Sequence, residues 1–414
     1  MSDLHPTRAC QAVMPRYAAD FHCTGNACED TCCAGWNISI DRQTLEAYRR
    51  VDHPHLVDRL KHFIKPIPSA AREPSGDPAR ISLAPETQSC PFLEKGLCAI
   101  HRDLGEDYLS NTCATFPRCA RDFGGQVEYA LNLSCPEAAR KALLAESSLD
   151  LIEAPIVIRP ATVTTLVPQG KISPEHINEI RGFCFQLMQV GDLLLWQRLV
   201  VIGHFCHQLD QLISVGSGTP DVPRFLADFV NQIENGAILE MLTEAAINEL
   251  GQAQLFFKFW QGQAERRNSP SQAMVQNAVA AGLGVEGIGS ADVDWSALGR
   301  HYQAGLQRML IAQEATPTLL NNYLLNEMFR EMFPFGSTSP YRHFLGMVAR
   351  FGLLRLMLAG VCNTTAVPGA DMLVRTAQVF NRLYPHPAFS IKAVQALEFL
   401  GFDKPHRFAE LLRV

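Results

Sequence analysis

The chain has 414 residues, room for two or three domains at roughly 150 residues each. Its 47% hydrophobic and 19% charged residues are those of a globular protein with a sizeable core. A formal net charge of −6, with no basic stripe, argues against DNA or RNA as a partner.

The opening residues lack the apolar core of a secretory signal. No run reaches the roughly eighteen uninterrupted apolar residues of a membrane span; the nearest, Phe183 to Cys206, is broken by Gln186, Gln189, Asp192, Gln197 and Arg198. The expectation is a cytoplasmic protein with no membrane span, where thiols stay reduced and clustered cysteines hold metal rather than pair.

Along the chain, Trp36, Ile38 and Ile40 alternate with polar residues and predict one short strand. Asp41 then caps a helix through about His62, with Leu45, Tyr48, Leu56 and Leu60 as its apolar stripe. Pro66, Pro68, Pro74, Gly76, Pro78 and Pro85 make 66–88 an irregular loop. The turn Asp122-Phe-Gly-Gly125, followed by the alternation of Val127, Tyr129, Leu131 and Leu133, predicts a β-hairpin. A helix begins after Cys135, with Pro136 at its first position. Residues 146–172 read as a connecting segment. Beyond it, 178–213 predicts one or two buried helices, 214–220 a loop, and Thr219 or Asp221 the next helix start. Glycines punctuate 280–290, and helical spacing resumes over 297–332, over 341–361 and near the C-terminus. The expected fold is mainly α: a cysteine-rich metal-binding module with a short β-hairpin at 1–145, a connector at 146–172, and an α-helical domain at 173–414.

Ten of the thirteen cysteines fall before residue 136. Seven form two bunches: Cys23, Cys28, Cys32 and Cys33, then Cys90, Cys98 and Cys113. Zinc commonly takes paired Cys-x2-Cys knuckles, and no such pair occurs here. An iron–sulfur cluster needs about four thiolates and accepts varied spacing, so it is preferred, with zinc as the alternative. The Cys-x3-Cys-x2-Cys run of radical chemistry is absent, because Cys33 follows Cys32 directly. A metal-free cluster of core thiols and a set of disulfides are the plainer readings. Adjacent residues point different ways, so one of Cys32 and Cys33 reaches a given metal. Cys119 and Cys135 rank second as ligands, and His101 is read as a helix-surface residue. Cys10, Cys184, Cys206 and Cys362 are core or surface residues.

Several motifs in order resemble the bacterial flagellin lysine-N-methylases. They are the stretch from Phe21 to Trp36 with Ile38 and Asp41, then Cys90-Pro-Phe-Leu93, Gly96 to His101, and Leu104-Gly105. Thr112 to Arg118, Leu133 to Glu137, and Asn322 to Pro334 continue the match. The resemblance implies methyl transfer from S-adenosylmethionine to lysine ε-amines of flagellin. It also implies a [4Fe–4S] cluster whose four ligands come from Cys23, Cys28, Cys32, Cys33, Cys90, Cys98 and Cys113.

The residues themselves say less about methyl transfer. Gly282-Leu-Gly-Val-Glu-Gly287 has the spacing of a Gly-x-Gly-x-x-Gly loop, but no predicted strand precedes it, so it is not read as a donor loop. A lysine must attack as a neutral amine, which needs desolvation or a proton acceptor. Tyr323 and Glu327, four apart in a predicted helix, share a face, but ordinary helix packing is the plainer role and no catalytic residue is assigned. The alternative function is a metal-binding or redox-sensing protein with a helical partner-binding domain.

Overall fold

The computed structural model describes residues 4–414 except 73–75, 167–171, 215–218, 263–268, 365, 367, 386 and 387. The chain folds as two units, one of Met1–Lys141, Asp150–Thr165 and Arg267–Ala273, the other of Ala142–Leu149, Leu166–Arg266 and Met274–Val414.

The strands are β1 (Arg8–Pro15), β2 (Ser39–Ile40), β3 (Ile64–Pro66), β4 (Ala79–Ile81), β5 (Leu93–Glu94), β6 (Leu97–Cys98), β7 (Arg118–Phe123), β8 (Gln126–Leu131), β9 (Leu151–Ile158) and β10 (Thr164–Leu166). Between them run the short helices α1 (Arg16–Ala19), α2 (Arg42–Tyr48), α3 (Val57–Phe63), α4 (Ala99–Leu104), α5 (Asn111–Thr115) and α6 (Pro136–Leu144). The main sheet has the order β10-β7-β8-β1-β9. In it β1 lies parallel to β8 and antiparallel to β9, from Arg8 opposite Ile158 to Pro15 opposite Leu151. The predicted hairpin is β7–β8, and Gly124 and Gly125 turn it at φ +58° and +89°, the left-handed pair of a two-residue turn that follows strand twist.

Three local expectations change. The helix expected from Asp41 to His62 is two, α2 and α3, because Pro54 cannot continue one. The loop expected over 66–88 contains β4, which pairs with β2 and β3 through long-range hydrogen bonds that proline counting does not see; its Pro74 lies outside the described residues. Within the segment read as a connector, β9 is a sheet strand along the whole of β1. The end of that segment and most of the loop expected over 214–220 lie outside the described residues.

The second unit is helical: α7 (Pro174–Met188), α8 (Leu195–Ser214), α9 (Val222–Glu234), α10 (Ala237–Glu244), α11 (Glu249–Gln261), α12 (Pro270–Leu283), α13 (Trp295–Glu314), α14 (Leu319–Arg330), α15 (Pro340–Cys362), α16 (Ala370–Leu383) and α17 (Ala388–Phe399). Asp221 is the N-cap of α9, its Oδ1 accepting the Arg224 N–H at 3.1 Å. At the centre stands α15, buried along its length except at Arg342 and packed by α8, α11, α13, α16 and α17. Among the described residues α15 is the one helix long and apolar enough to cross a membrane, and its apolar window is wholly buried in this unit. The most apolar stretch is therefore α15 rather than 183–206, which is α7 and α8 with a break between them.

Helix α13 approaches α15 so closely that a Cβ on Gly305 would stand 2.3 Å from the Ala359 carbonyl oxygen. Both atoms belong to rigid helix backbone, so the helices must separate to admit a methyl group. Gly305→Ala is expected to destabilise the helical unit by about 1–3 kcal/mol, read as a lower urea midpoint at an unchanged slope.

Candidate metal centre

Four of the seven singled-out cysteines come together. Cys33, Cys90, Cys98 and Cys113 all belong to the core of the first unit, packed with Ile38, Ile40, Tyr48, Leu60 and Phe92. Backbone bonds join the two bunches. The Cys33 carbonyl accepts the Cys90 N–H at 2.7 Å, and the Gln88 carbonyl accepts the Gly35 N–H at 2.9 Å beside the Ala34–Ser89 bridge.

Cys90 leads into β5 and Cys98 closes β6, with Leu93 opposite Cys98. The turn between them places Lys95 and Gly96 at φ +50° and +81°. A Cβ at Gly96 would also stand 3.1 Å from the Asn26 Cα, so the Cys23–Cys28 loop rests against this turn. Cys98 is the N-cap residue of α4 and makes no cap hydrogen bond there, but the His101 and Ile100 N–H groups stand close enough to its sulfur to favour thiolate. The Cys90 sulfur accepts the Phe92 N–H. Cys113 lies in the first turn of α5, where Ser110 caps the helix by accepting the Cys113 N–H at 3.4 Å and also bonds the sulfur.

Burial pushes the Cys90 and Cys113 thiols each up to about 12 and raises Cys98; the neighbouring thiols add to this, while the hydrogen-bond donors oppose it. Arg59 and Arg102 oppose it too. Arg59 pairs with Glu94 and the Pro91 carbonyl and lies 5.4 Å from the Phe92 ring centre, and Arg102 reaches Glu94 at 2.9 Å. The Cys32 thiol is raised first by its hydrogen bond to Cys33 and then by burial, with Cys113 and Cys23 contributing.

Cys23 and Cys28 fall elsewhere, beside Cys135. Burial pushes Cys135 up to about 11, and the charges of Cys28 and Cys23 bear on it. Its sulfur accepts the N–H groups of Ala138 and Glu137 at the start of α6, and Arg140 ties that helix to Glu29 of the Cys28 loop. The pool of seven is thus divided, and Cys135 joins a group to which spacing gave it second rank. The local signal was Cys135-Pro136, a thiol at a helix start. Cys119 sits on β7 with its sulfur 3.7 Å from the Pro117 carbonyl, and Cys10 sits on β1. Cys184, Cys206 and Cys362 are buried in the helical unit. All thirteen cysteines are free thiols.

As placed, no three His, Cys, Asp or Glu side chains among the described residues stand close enough to hold a metal ion. In chemistry, however, the set at Cys33, Cys90, Cys98 and Cys113 fits a sulfur-ligated metal group: four soft donors in an apolar core, N–H or hydroxyl groups near three of the sulfurs, and two guanidiniums alongside. A cation among them reverses the effect of burial by stabilising thiolate.

Asp41 supports this core from two directions. Its carboxylate accepts the Thr44 N–H at 2.9 Å as the cap of α2, and the Asn111 N–H at 2.9 Å at the start of α5. Burial raises the carboxyl, but those donors outweigh it and hold it below the usual range. Its contribution is therefore full above the unfolded value of about 3.9 and lost as pH falls through the lower folded value. Asp41→Ala is expected to cost about 1–2 kcal/mol at pH 7, measured by thermal unfolding, with the difference from the parent narrowing below about pH 4.

Tyr323 and Glu327 are both buried on α14. The cavity they line holds about 10 Å³, room for one water. Glu327 is clamped by Arg330 at 2.9 Å and Arg350 at 3.0 Å. In this structure Glu327 belongs to a buried ion network with Arg330 and Arg350.

The family model for the FliB lysine N-methylase C-terminal domain matches residues 181–410. The lysine-N-methylases of Salmonella choleraesuis and Salmonella typhimurium are each 24% identical over 243 residues, covering 56% of this chain and 56% of theirs. The flagellar biosynthetic protein FliU of Salmonella muenchen is 30% identical over 130 residues, 31% of this chain and 75% of that protein. The chain thus spans about half the length of the lysine-N-methylases it matches. No solved structure matches.

Proposed function

Because this chain belongs to the FliB lysine N-methylase family, we propose that it is a protein-lysine N-methyltransferase acting on flagellin in the cytoplasm. S-adenosylmethionine is the donor, and Cys33, Cys90, Cys98 and Cys113 hold a [4Fe–4S] cluster. The observation that carries the activity is the family match across the helical unit. The flagellar name of one relative supports the substrate, and the gathering of the four thiols supports the cluster.

In the reaction the neutral amine of lysine attacks the donor's methyl carbon. The carbon–sulfur bond breaks with its electron pair to sulfur, and the new ammonium then loses a proton. The lysine must first shed its own proton, which an apolar site favours. A bound cluster would contribute folding energy and redox capacity to the first unit. The residues around it keep clear duties: Arg59 and Arg102 lower the cost of thiolate, and the N–H groups of Phe92, Ile100 and His101 lower it further.

The test is transfer of labelled methyl from S-adenosylmethionine to unmethylated flagellin by anaerobically purified, metal-replete protein. Methyl-lysine found by mass spectrometry is the expected result. No methyl-lysine, alongside a metal content that responds reversibly to redox potential, would replace this reading with a metal-binding or redox-sensing protein.

A further inference from the structure

The first unit contains a cavity of about 400 Å³ beside the thiol core, within the roughly 300–1,000 Å³ of small-molecule sites. Helix α5 separates the two. Cys113 belongs to the thiol core, while the next residues, Ala114 and Thr115, line the cavity. Charges of both signs meet there. Glu106 and Asp107 are exposed on the turn after α4, and Arg118 is exposed at the start of β7. Arg159 is buried, and it holds the acidic turn by donating to the carbonyls of Leu109 at 2.8 Å and Glu106 at 3.1 Å. Arg118 lies 5.5 Å from the Phe21 ring centre and bonds Tyr129. Ala114, Ala120, Val157 and Ile158 give part of the wall an apolar surface, and Thr7, Thr115, Tyr129 and Thr162 set hydroxyls among them.

We propose that this cavity binds S-adenosylmethionine through its amino-acid end: Arg118 takes the carboxylate, Glu106 and Asp107 take the amine, and the apolar wall receives the remainder. The assignment rests on the methyltransferase reading above. A lysine of a protein substrate brings a cation but no anion, and would leave Arg118 without a counterpart. A phosphate would answer Arg118 and Arg159 but leave Glu106 and Asp107 opposed, whereas the donor's amino-acid end carries both signs. Two other cavities among the described residues suit the donor less well. The Tyr323–Glu327 cavity holds about 10 Å³, and the one of about 240 Å³ beside Tyr48 is lined by Arg49 and Lys61 with no carboxylate.

The test is isothermal titration of the full chain, purified without oxygen, with S-adenosylmethionine and separately with 5′-methylthioadenosine, which lacks the amino-acid end. Arg118→Ala and the double variant Glu106→Gln/Asp107→Asn are each expected to weaken S-adenosylmethionine binding by about tenfold or more, the loss of charge-assisted hydrogen bonds. Both should bind 5′-methylthioadenosine as the parent does, and Arg49→Ala should leave both affinities unchanged. Parent-like binding of S-adenosylmethionine by both cavity variants, in a protein that methylates flagellin, would overturn the placement and leave the function standing. A parent chain that neither binds the donor nor transfers methyl would overturn both.

Discussion

With the proposed cluster held by Cys33, Cys90, Cys98 and Cys113, serine at Cys98 or Cys113 is expected to abolish metal binding and to lower or abolish the unfolding transition of the first unit. Both thiols lie in the same core as Cys33 and Cys90, with the Cys32 thiol beside Cys33 and Cys113. Structural zinc contributes about 10–16 kcal/mol of apparent binding free energy in small domains, of the order of a whole domain's stability of about 5–15 kcal/mol. A comparable loss here would leave the β5–β6 hairpin, α4 and α5 tied only by their own packing. Serine at Cys119 or Cys135 is expected to keep the metal, because neither belongs to that core. The readings are iron, sulfide and zinc per chain with visible absorption, all without oxygen. If Cys23→Ser or Cys28→Ser emptied the site while Cys33→Ser and Cys90→Ser left it full, the assignment to these four would be wrong. A colourless protein with one zinc would keep the ligands and change the metal.

The other large effect lies at Glu327. Its carboxylate sits between Arg330 and Arg350, all three side chains less than a tenth exposed. Arg350 also donates to Asn381 Oδ1 at 3.0 Å and to the Tyr384 carbonyl, with its guanidinium 4.9 Å from the Phe380 ring centre. Arg330 reaches Glu331 as well, at 2.5 Å. Glu327→Gln leaves two buried guanidiniums with one carboxylate, and breaking such a pair costs about 3–5 kcal/mol. The exposed pair Arg224–Asp228, at 3.7 Å, gives the contrast: Asp228→Asn should stay within about 0.5 kcal/mol of the parent. Denaturant midpoints of the purified variants decide the matter. A Glu327→Gln chain as stable as the parent but inactive in methyl transfer would return Glu327 to the catalytic candidates.

The same comparison of local and distant forces shows what was legible beforehand. The β7–β8 hairpin is written in Gly124-Gly125 and the alternation after it, since a two-residue turn and a period of two are properties of neighbours. The caps at Asp41 and Asp221 and the start of α6 at Pro136 are equally local, each a contact within about one helical turn. The crowding of cysteines before residue 136 is equally plain in the sequence.

Which thiols meet was not legible. That depends on the bond from Cys90 N–H to the Cys33 carbonyl and on two short helices, α4 and α5, that aim Cys98 and Cys113 inward. The strand β9, read as a connector, and the strand β4, hidden among prolines, have the same explanation: a strand exists where a distant partner offers hydrogen bonds. Tyr323 and Glu327 do share a helical face, as spacing requires, but their surroundings come from α15 and α16: Arg350 meets Glu327, and Asn381 holds Arg350. Composition and short-range periodicity therefore decide that the chain is mainly helical, capped where it is capped, and rich in metal-suited sulfur. Tertiary packing decides which sulfurs share a core, which carboxylate is locked between arginines, and where a cavity remains, because each depends on atoms that only long-range folding brings together.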